Sequence, residues 1–317
     1  MRRSIHPRPL TGLLLLGTAL ALAACASNDD PDLPTLSAAT PGTLQSCTDL
    51  ATKATSANTT IASSTLVAAG ALTVTGVTTP MPEHCLVKGE MNRRTSAVDG
   101  KSYAIGFEMR LPTAWNGRYF YQANGGIDGS VVTATGPTSG GAPVSNALQM
   151  GFAVLSSDAG HSGPPWWGLD PQARLDYGYQ AVGSLTPMAK NLIKVAYGKA
   201  PDRSYFGGCS NGGRHAIIAA ARYSDQYDGI LAGAPGFHLP KAATAQLWKV
   251  QQYASIASGT VTTGADAGQP DITTAVTPAE FKLLGERIVA KCDALDAATD
   301  GIVADIKACQ GAFNIKT

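Results

Sequence analysis

Ser204-Tyr205-Phe206-Gly207-Gly208-Cys209-Ser210-Asn211-Gly212-Gly213-Arg214 decides the fold. Ser204–Phe206 reads as a short strand, and a helix is expected near Gly212–Tyr223. Between them Gly208-Cys209-Ser210-Asn211-Gly212 fits G-x-S-x-G. A serine on a sharp strand-to-helix turn needs small neighbours, because larger side chains would collide with adjacent backbone. The turn lifts the Ser210 hydroxyl clear of the sheet. It also sets the Asn211 amide at a helix N-terminus, where it can donate to an oxyanion. The pentapeptide alone is weak evidence, since a plain glycine-rich connection can carry it. Its strand–helix setting gives it weight.

Working outward, Tyr103–Leu111 and Arg118–Gln122 read as strands, with Pro112 and Asn116-Gly117 punctuating between them. Phe152–Ser156 is a short apolar run of the buried-strand type. A helix fits Arg174–Tyr197, with Val182, Leu185, Ala189, Leu192, Ile193 and Ala196 at three- and four-residue spacing. Gly229–Ala234 is the next strand, closed by Pro235. Strands alternating with helices predict an α/β fold with a largely parallel sheet. Asn124-Gly125-Gly126-Ile127-Asp128-Gly129 directly follows the strand ending at Gln122. That is where an α/β-hydrolase places the loop completing its oxyanion hole, with a plain turn as the alternative. Beyond about residue 240 the texture changes to Ala, Thr and Gly without clear strands. There Thr277-Pro278-Ala279-Glu280 makes a capping box opening a helix that carries Phe281, Leu284 and Ile288.

The chain has 317 residues, enough for one large domain or two ordinary ones. Its 24 basic and 23 acidic residues leave a net charge of +1 with no basic block, which argues against a nucleic-acid partner. The 35 glycines and 19 prolines are aperiodic, excluding collagen-like, wholly disordered and coiled-coil chains. Arg2, Arg3 and Arg8 precede an apolar run from Leu10 to Ala24, too short and too early for a membrane span. Residues 1–24 therefore read as a signal peptide.

Leu22-Ala23-Ala24-Cys25 resembles the lipobox of bacterial lipoproteins. The resemblance implies cleavage before Cys25 and its acylation, with several acyl chains anchoring firmly where one would not. An ordinary signal peptide cut nearby is the alternative. Ala26 after the cysteine implies outer-membrane sorting, and residues 26–43 read as a flexible tether. The expected location is outside the cytoplasm, lipid-anchored or secreted, with membrane contact through the lipid alone. Cysteines in such a compartment tend to pair. Apart from Cys25 there are Cys47, Cys85, Cys209, Cys292 and Cys309. Cys292 and Cys309 close a short loop, worth roughly 3 kcal/mol on the chain-entropy model. Cys47 and Cys85 flank the start of the folded region and make the second pair, leaving Cys209.

The stretch from Ser204 to Arg214, then Tyr227-Asp228-Gly229-Ile230-Leu231-Ala232-Gly233-Ala234-Pro235-Gly236, resembles the tannase and feruloyl esterase family. Gly168-Leu169-Asp170-Pro171-Gln172-Ala173-Arg174-Leu175-Asp176 and Trp115-Asn116-Gly117-Arg118 look similar as well. The resemblance runs from about Cys47 to the end. It implies an α/β-hydrolase core over 44–239, with 240–317 as the start of a large inserted lid. It implies hydrolysis of small esters of aromatic acids, of the feruloyl, galloyl or terephthalate type. Ser210 would be the nucleophile, with Asn211 and Gly126 donating the oxyanion amides. The family also pairs the cysteine before its nucleophile with one following the catalytic histidine. Cys209 holds the first of these positions and no cysteine here holds the second.

Cys292–Asp305 packs Asp293, Asp296, Asp300 and Asp305 around a Gly301 turn. Closely spaced carboxylates of this kind suit Ca²⁺, which takes six to eight oxygen ligands, although the spacing is not that of an EF-hand. The family resemblance implies a structural calcium here, held by Asp293, Asp296 and Asp300 carboxylates and the Ala298 and Ile302 carbonyls, with Asp305 as a further candidate. A solvated turn is the alternative.

His84, His161, His215 and His238 each invite a catalytic reading, but a lone histidine is more often structural. His215 lies five residues past Ser210 in the following helix and is expected to point away from the hydroxyl. His238 is the least unsuitable local base. Trp166 and Trp167 either line an aromatic pocket or pack on the surface. An α/β-hydrolase triad runs serine, acid, histidine along the chain. No histidine follows His238, Cys209 lacks a partner and the lid does not visibly end, so the expectation is that a C-terminal portion carrying acid and base lies beyond Thr317. The competing functions are a serine peptidase or lipase on the same fold and a non-catalytic lipoprotein. The expected state is monomeric.

Overall fold

The computed structural model describes residues 37–137, 146–163 and 165–315. The expected signal peptide, the Cys25 site and the expected tether before Ser37 lie outside the described residues. The described residues pack as two units, divided between Pro235 and Gly236.

The first unit is built on seven strands: β1 (Thr59–Val67), β2 (His84–Thr95), β3 (Ser102–Pro112), β4 (Arg118–Ala123), β5 (Ala153–Ser157), β6 (Arg203–Cys209) and β7 (Gly229–Gly233). Their spatial order is β1-β2-β3-β5-β4-β6-β7. The pairs β1–β2, β2–β3 and β3–β5 are antiparallel, whereas β5–β4, β4–β6 and β6–β7 are parallel. The sheet is therefore mixed rather than largely parallel. Its antiparallel half runs from β1 to β3, and β1 and β2 precede the region expected to hold strands. Thr59-Thr60-Ile61-Ala62-Ser63-Ser64-Thr65-Leu66-Val67 is rich in hydroxyl side chains and mostly exposed or half-buried, so no apolar run announces it.

The helical path expected over 174–197 is interrupted. Asp170 caps Pro171–Leu175 by accepting from the Ala173 amide. A π turn over Asp176–Gln180 then leads into α1 (Ala181–Tyr197), which Gly198 closes at φ 76°. Val182, Leu185, Ala189, Leu192, Ile193 and Ala196, the predicted apolar stripe, are all buried. They join Phe107, Met109, Leu111, Tyr121 and Phe206 of the sheet in one core. At its edge Trp115 stacks on Tyr197 with centroids 4.3 Å apart. After β6 comes α2 (Asn211–Arg222), and the Cys47–Cys85 disulfide ties the start of this unit to β2.

In the second unit α3 (Leu239–Ile256) is an 18-residue helix that buries no side chain, which is why no stripe marks it in the sequence. Gly259–Thr260 and Pro270–Asp271 form a two-residue antiparallel ladder. Thr277 and Glu280 form the expected capping box at the head of α4 (Pro278–Cys292). The Cys292–Cys309 disulfide joins α4 to α5 (Ile306–Ala312). Both disulfides are the pairings the sequence suggests. Cys209 is free and half-buried. No helix among the described residues is long and apolar enough to cross a membrane.

Candidate active site

β4 and β6 are parallel neighbours, and Ala123 pairs with Gly208 near the carboxyl end of both. The segments that leave them, Asn124–Gly129 and Ser210, therefore emerge side by side at the carboxyl edge of the parallel half. Ligand sites of open α/β sheets form at that edge. Ser210 has φ 59° and ψ −118°, and its side chain is exposed. Its amide donates to the Gly233 carbonyl at 3.0 Å, fixing the turn against β7. A β-carbon on Gly212 would lie 2.3 Å from the Ala123 carbonyl oxygen, and one on Gly213 2.4 Å from that of Gly233. Glycine at both positions is thus the condition for α2 to start directly behind the serine.

As the first residue of α2, Asn211 presents an amide that no intrahelical carbonyl can accept. Across from it, Gly126 has φ 67°, and a β-carbon there would meet nothing within 4 Å. Gly125 lies beside the turn, a β-carbon on it standing 3.8 Å from the Cys209 carbonyl oxygen. The three residues expected to hold nucleophile and oxyanion donors thus come from adjoining segments.

The described histidines of this unit are committed elsewhere. His84 Nδ1 sits 2.7 Å from the Pro82 carbonyl, and its Nε2 faces Arg110 at 2.6 Å. His161 Nε2 donates to the Ile127 carbonyl at 2.8 Å, and its ring stacks on Trp167 at 3.9 Å. His215 Nε2 lies 2.8 Å from Asp128 Oδ2. Burial holds all three imidazoles below their ordinary pKa. Among the described residues none hydrogen-bonds the Ser210 hydroxyl. His238 belongs to the second unit, at the head of α3 with φ 55°. Trp166 is exposed, and Trp167 packs on His161 and Tyr177. Asp158, buried below the loop with its carboxylate on the Gly106 and Gly160 amides, is pushed up to about 7 by desolvation.

Asp128 and His215 were not singled out as a pair by their sequence positions. Eighty-seven residues separate them, so only Asp128's place in the glycine cluster offered a signal.

In the acidic loop, Asp293 Oδ1 accepts from the Asp300 and Gly301 amides, at 3.2 and 2.9 Å. Asp296 accepts from Ala298 and Ala304, and Asp300 from Ile302. The Ala304 and Ala298 amides hold the Asp296 carboxyl below its usual range. Among the described residues no group of three His, Cys, Asp or Glu side chains is arranged to hold a metal ion. The donor chemistry suits calcium, but these carboxylates are turned to backbone amides rather than gathered on one point.

A family profile described as tannase and feruloyl esterase matches residues 85–317. A mono(2-hydroxyethyl) terephthalate hydrolase of Piscinibacter sakaiensis is 42% identical over 248 residues, covering 75% of this chain and 40% of the relative. A probable feruloyl esterase B-2 of Neosartorya fischeri is 31% identical over 228 residues, 71% of this chain and 39% of that protein. The crystal structure of feruloyl esterase B from Aspergillus oryzae superposes with a TM-score of 0.63 at 25% identity, covering 86% of this chain and 51% of that one. The chain thus spans about two fifths of the length of those two curated relatives.

Proposed function

The chain belongs to the tannase and feruloyl esterase family, and from that premise we propose that its protein is a serine carboxylic ester hydrolase for small esters of aromatic acids. One observation carries the reading: an exposed serine at positive φ on a strand–helix elbow, with an uncommitted helix-N-terminal amide directly behind it. The Ser210 hydroxyl attacks the ester carbonyl carbon while its proton passes to a general base, a role that His84, His161 and His215 are not placed to fill. The developing oxyanion accepts from the Asn211 and Gly126 amides. Collapse breaks the bond to the alcohol, which leaves with a proton, and water then frees the acid from Ser210 by the same route.

The relatives' names, one for a terephthalate ester and one for feruloyl esters, support an aromatic acyl group. The reading extends to export, which the two disulfides support, and to a monomer with Cys25 lipidated. It extends also to one structural Ca²⁺ drawn into the Asp293–Ile302 loop, supported by three carboxylates within one disulfide-closed segment.

The test is Ser210→Ala in the full-length protein. Turnover of an aromatic ester should fall by roughly 10⁴–10⁶-fold with the melting temperature retained. Turnover within tenfold of wild type would overturn the assignment.

A further inference from the structure

Asp128 stands two residues beyond Gly126 with φ 56°, and its side chain is only 2% exposed. Its Oδ2 accepts from Asn211 Nδ2 at 2.7 Å and lies 2.8 Å from His215 Nε2. Asn211 and His215 are four residues apart on α2, hence on one helical face. The amide side chain of Asn211 is fixed from its other end, where Oδ1 accepts from the Tyr177 hydroxyl at 3.0 Å and Arg214 Nε at 2.7 Å. Arg214 in turn donates to the Tyr177 and Gly178 carbonyls at 3.1 and 3.3 Å and lies over the Tyr177 ring. Those carbonyls belong to the π turn, whose widened backbone shares them with the guanidinium. On either side of Asp128, the Ile127 carbonyl accepts from His161 and the Gly129 amide donates to the Asp158 carbonyl at 3.2 Å.

Three consecutive residues after Gly126 are thus pinned. The central pin ends on the residue whose own amide is the second oxyanion donor. We propose that Asp128 and His215 are positioning residues of the oxyanion hole, the buried carboxylate clamping the Gly126 loop to the head of α2 so that both donor amides share one rigid frame. The inference rests on the esterase reading of Ser210. Burial lowers the His215 pKa, and because a carboxylate oxygen can only accept, the ring acts as the N–H donor of this contact rather than as a base. Removing that donor leaves a buried carboxylate with one partner fewer and the loop free to shift. Oxyanion contacts strengthen in the transition state, so the loss should fall on kcat and spare KM.

The experiment uses the full-length protein, an aromatic ester and an aryl phosphonate whose anionic oxygen occupies the oxyanion position on Ser210. Rates are normalised to the folded fraction from thermal melts. His215→Phe and Asp128→Ala should each lower kcat and the phosphonylation rate on the order of 10²-fold, with KM within threefold. His215→Gln, which keeps an N–H donor, should recover to within tenfold of wild type. Asp128→Asn, isosteric and tolerant of positive φ, serves if the other variants do not fold, and should lower kcat at least fivefold. A kcat within threefold of wild type in folded His215→Phe, Asp128→Ala or Asp128→Asn, or a loss confined to KM, would overturn the inference. Ser210→Ala in the same assay separates the two claims. If it retains turnover the esterase reading fails, and if it abolishes turnover while the Asp128 and His215 variants keep kcat, the positioning role alone fails.

Discussion

Ser210 holds a positive φ that costs a non-glycine residue roughly 1–3 kcal/mol, and its surroundings over-determine it. Its amide is bound to Gly233, its carbonyl starts α2, and Gly212 and Gly213 admit backbone where any β-carbon would collide. That much was legible in G-x-S-x-G, because a steric requirement for small residues is written locally. The support beneath was not, since Asp128, Asn211 and His215 meet only through the fold. Asp158 is the residue where the buried ground under the loop should register in solution. Desolvation raises its pKa from 3.8 to about 7, with Asp128 nearby adding to the rise. The unfolded chain therefore releases this proton near pH 4 while the folded chain keeps it until about 7. Folding binds the proton between those values, so this group's contribution to stability declines as pH rises from 4 to 7. In Asp158→Asn that decline should disappear. Chemical denaturation at pH 4 and pH 7 measures it, and an identical pH slope in variant and wild type would contradict the shift.

Among the elements, those with a strong apolar period were readable and those without one were not. The α1 stripe appears at its predicted positions because one face of that helix is wholly buried. The π turn before it was invisible, because Arg214, which bonds the turn's carbonyls, lies more than thirty residues away in the chain. Both β1 and α3 escaped for a shared reason: half-exposed or fully exposed elements carry no burial pattern. The capping box at Thr277 was legible because it is a local hydrogen-bond exchange. In the following loop the Asp293, Asp296 and Asp300 carboxylates accept from backbone amides, with which a cation would compete for them. With Ca²⁺ bound as proposed, chelation should lower the melting temperature, and Asp296→Ala should remove the response. A melting curve indifferent to chelator would return the loop to a solvated turn.

At the scale of the molecule, the parallel half of the sheet does the placing. β4 and β6 run side by side, so the two loops that follow them open at the same edge, one carrying Gly126 and the other Ser210. The antiparallel half, β1 to β3, continues the sheet sideways beyond β5. Family membership and elbow geometry lead to one central claim, that Ser210 carries the acyl group during turnover. Mass spectrometry of the full-length protein, quenched during hydrolysis of a slow aromatic ester and digested, tests this directly. The expected result is the aroyl mass on the peptide containing Ser210, formed and discharged as fast as the ester turns over. An adduct on another residue, or brisk turnover with no adduct on that peptide under any quench, would contradict it.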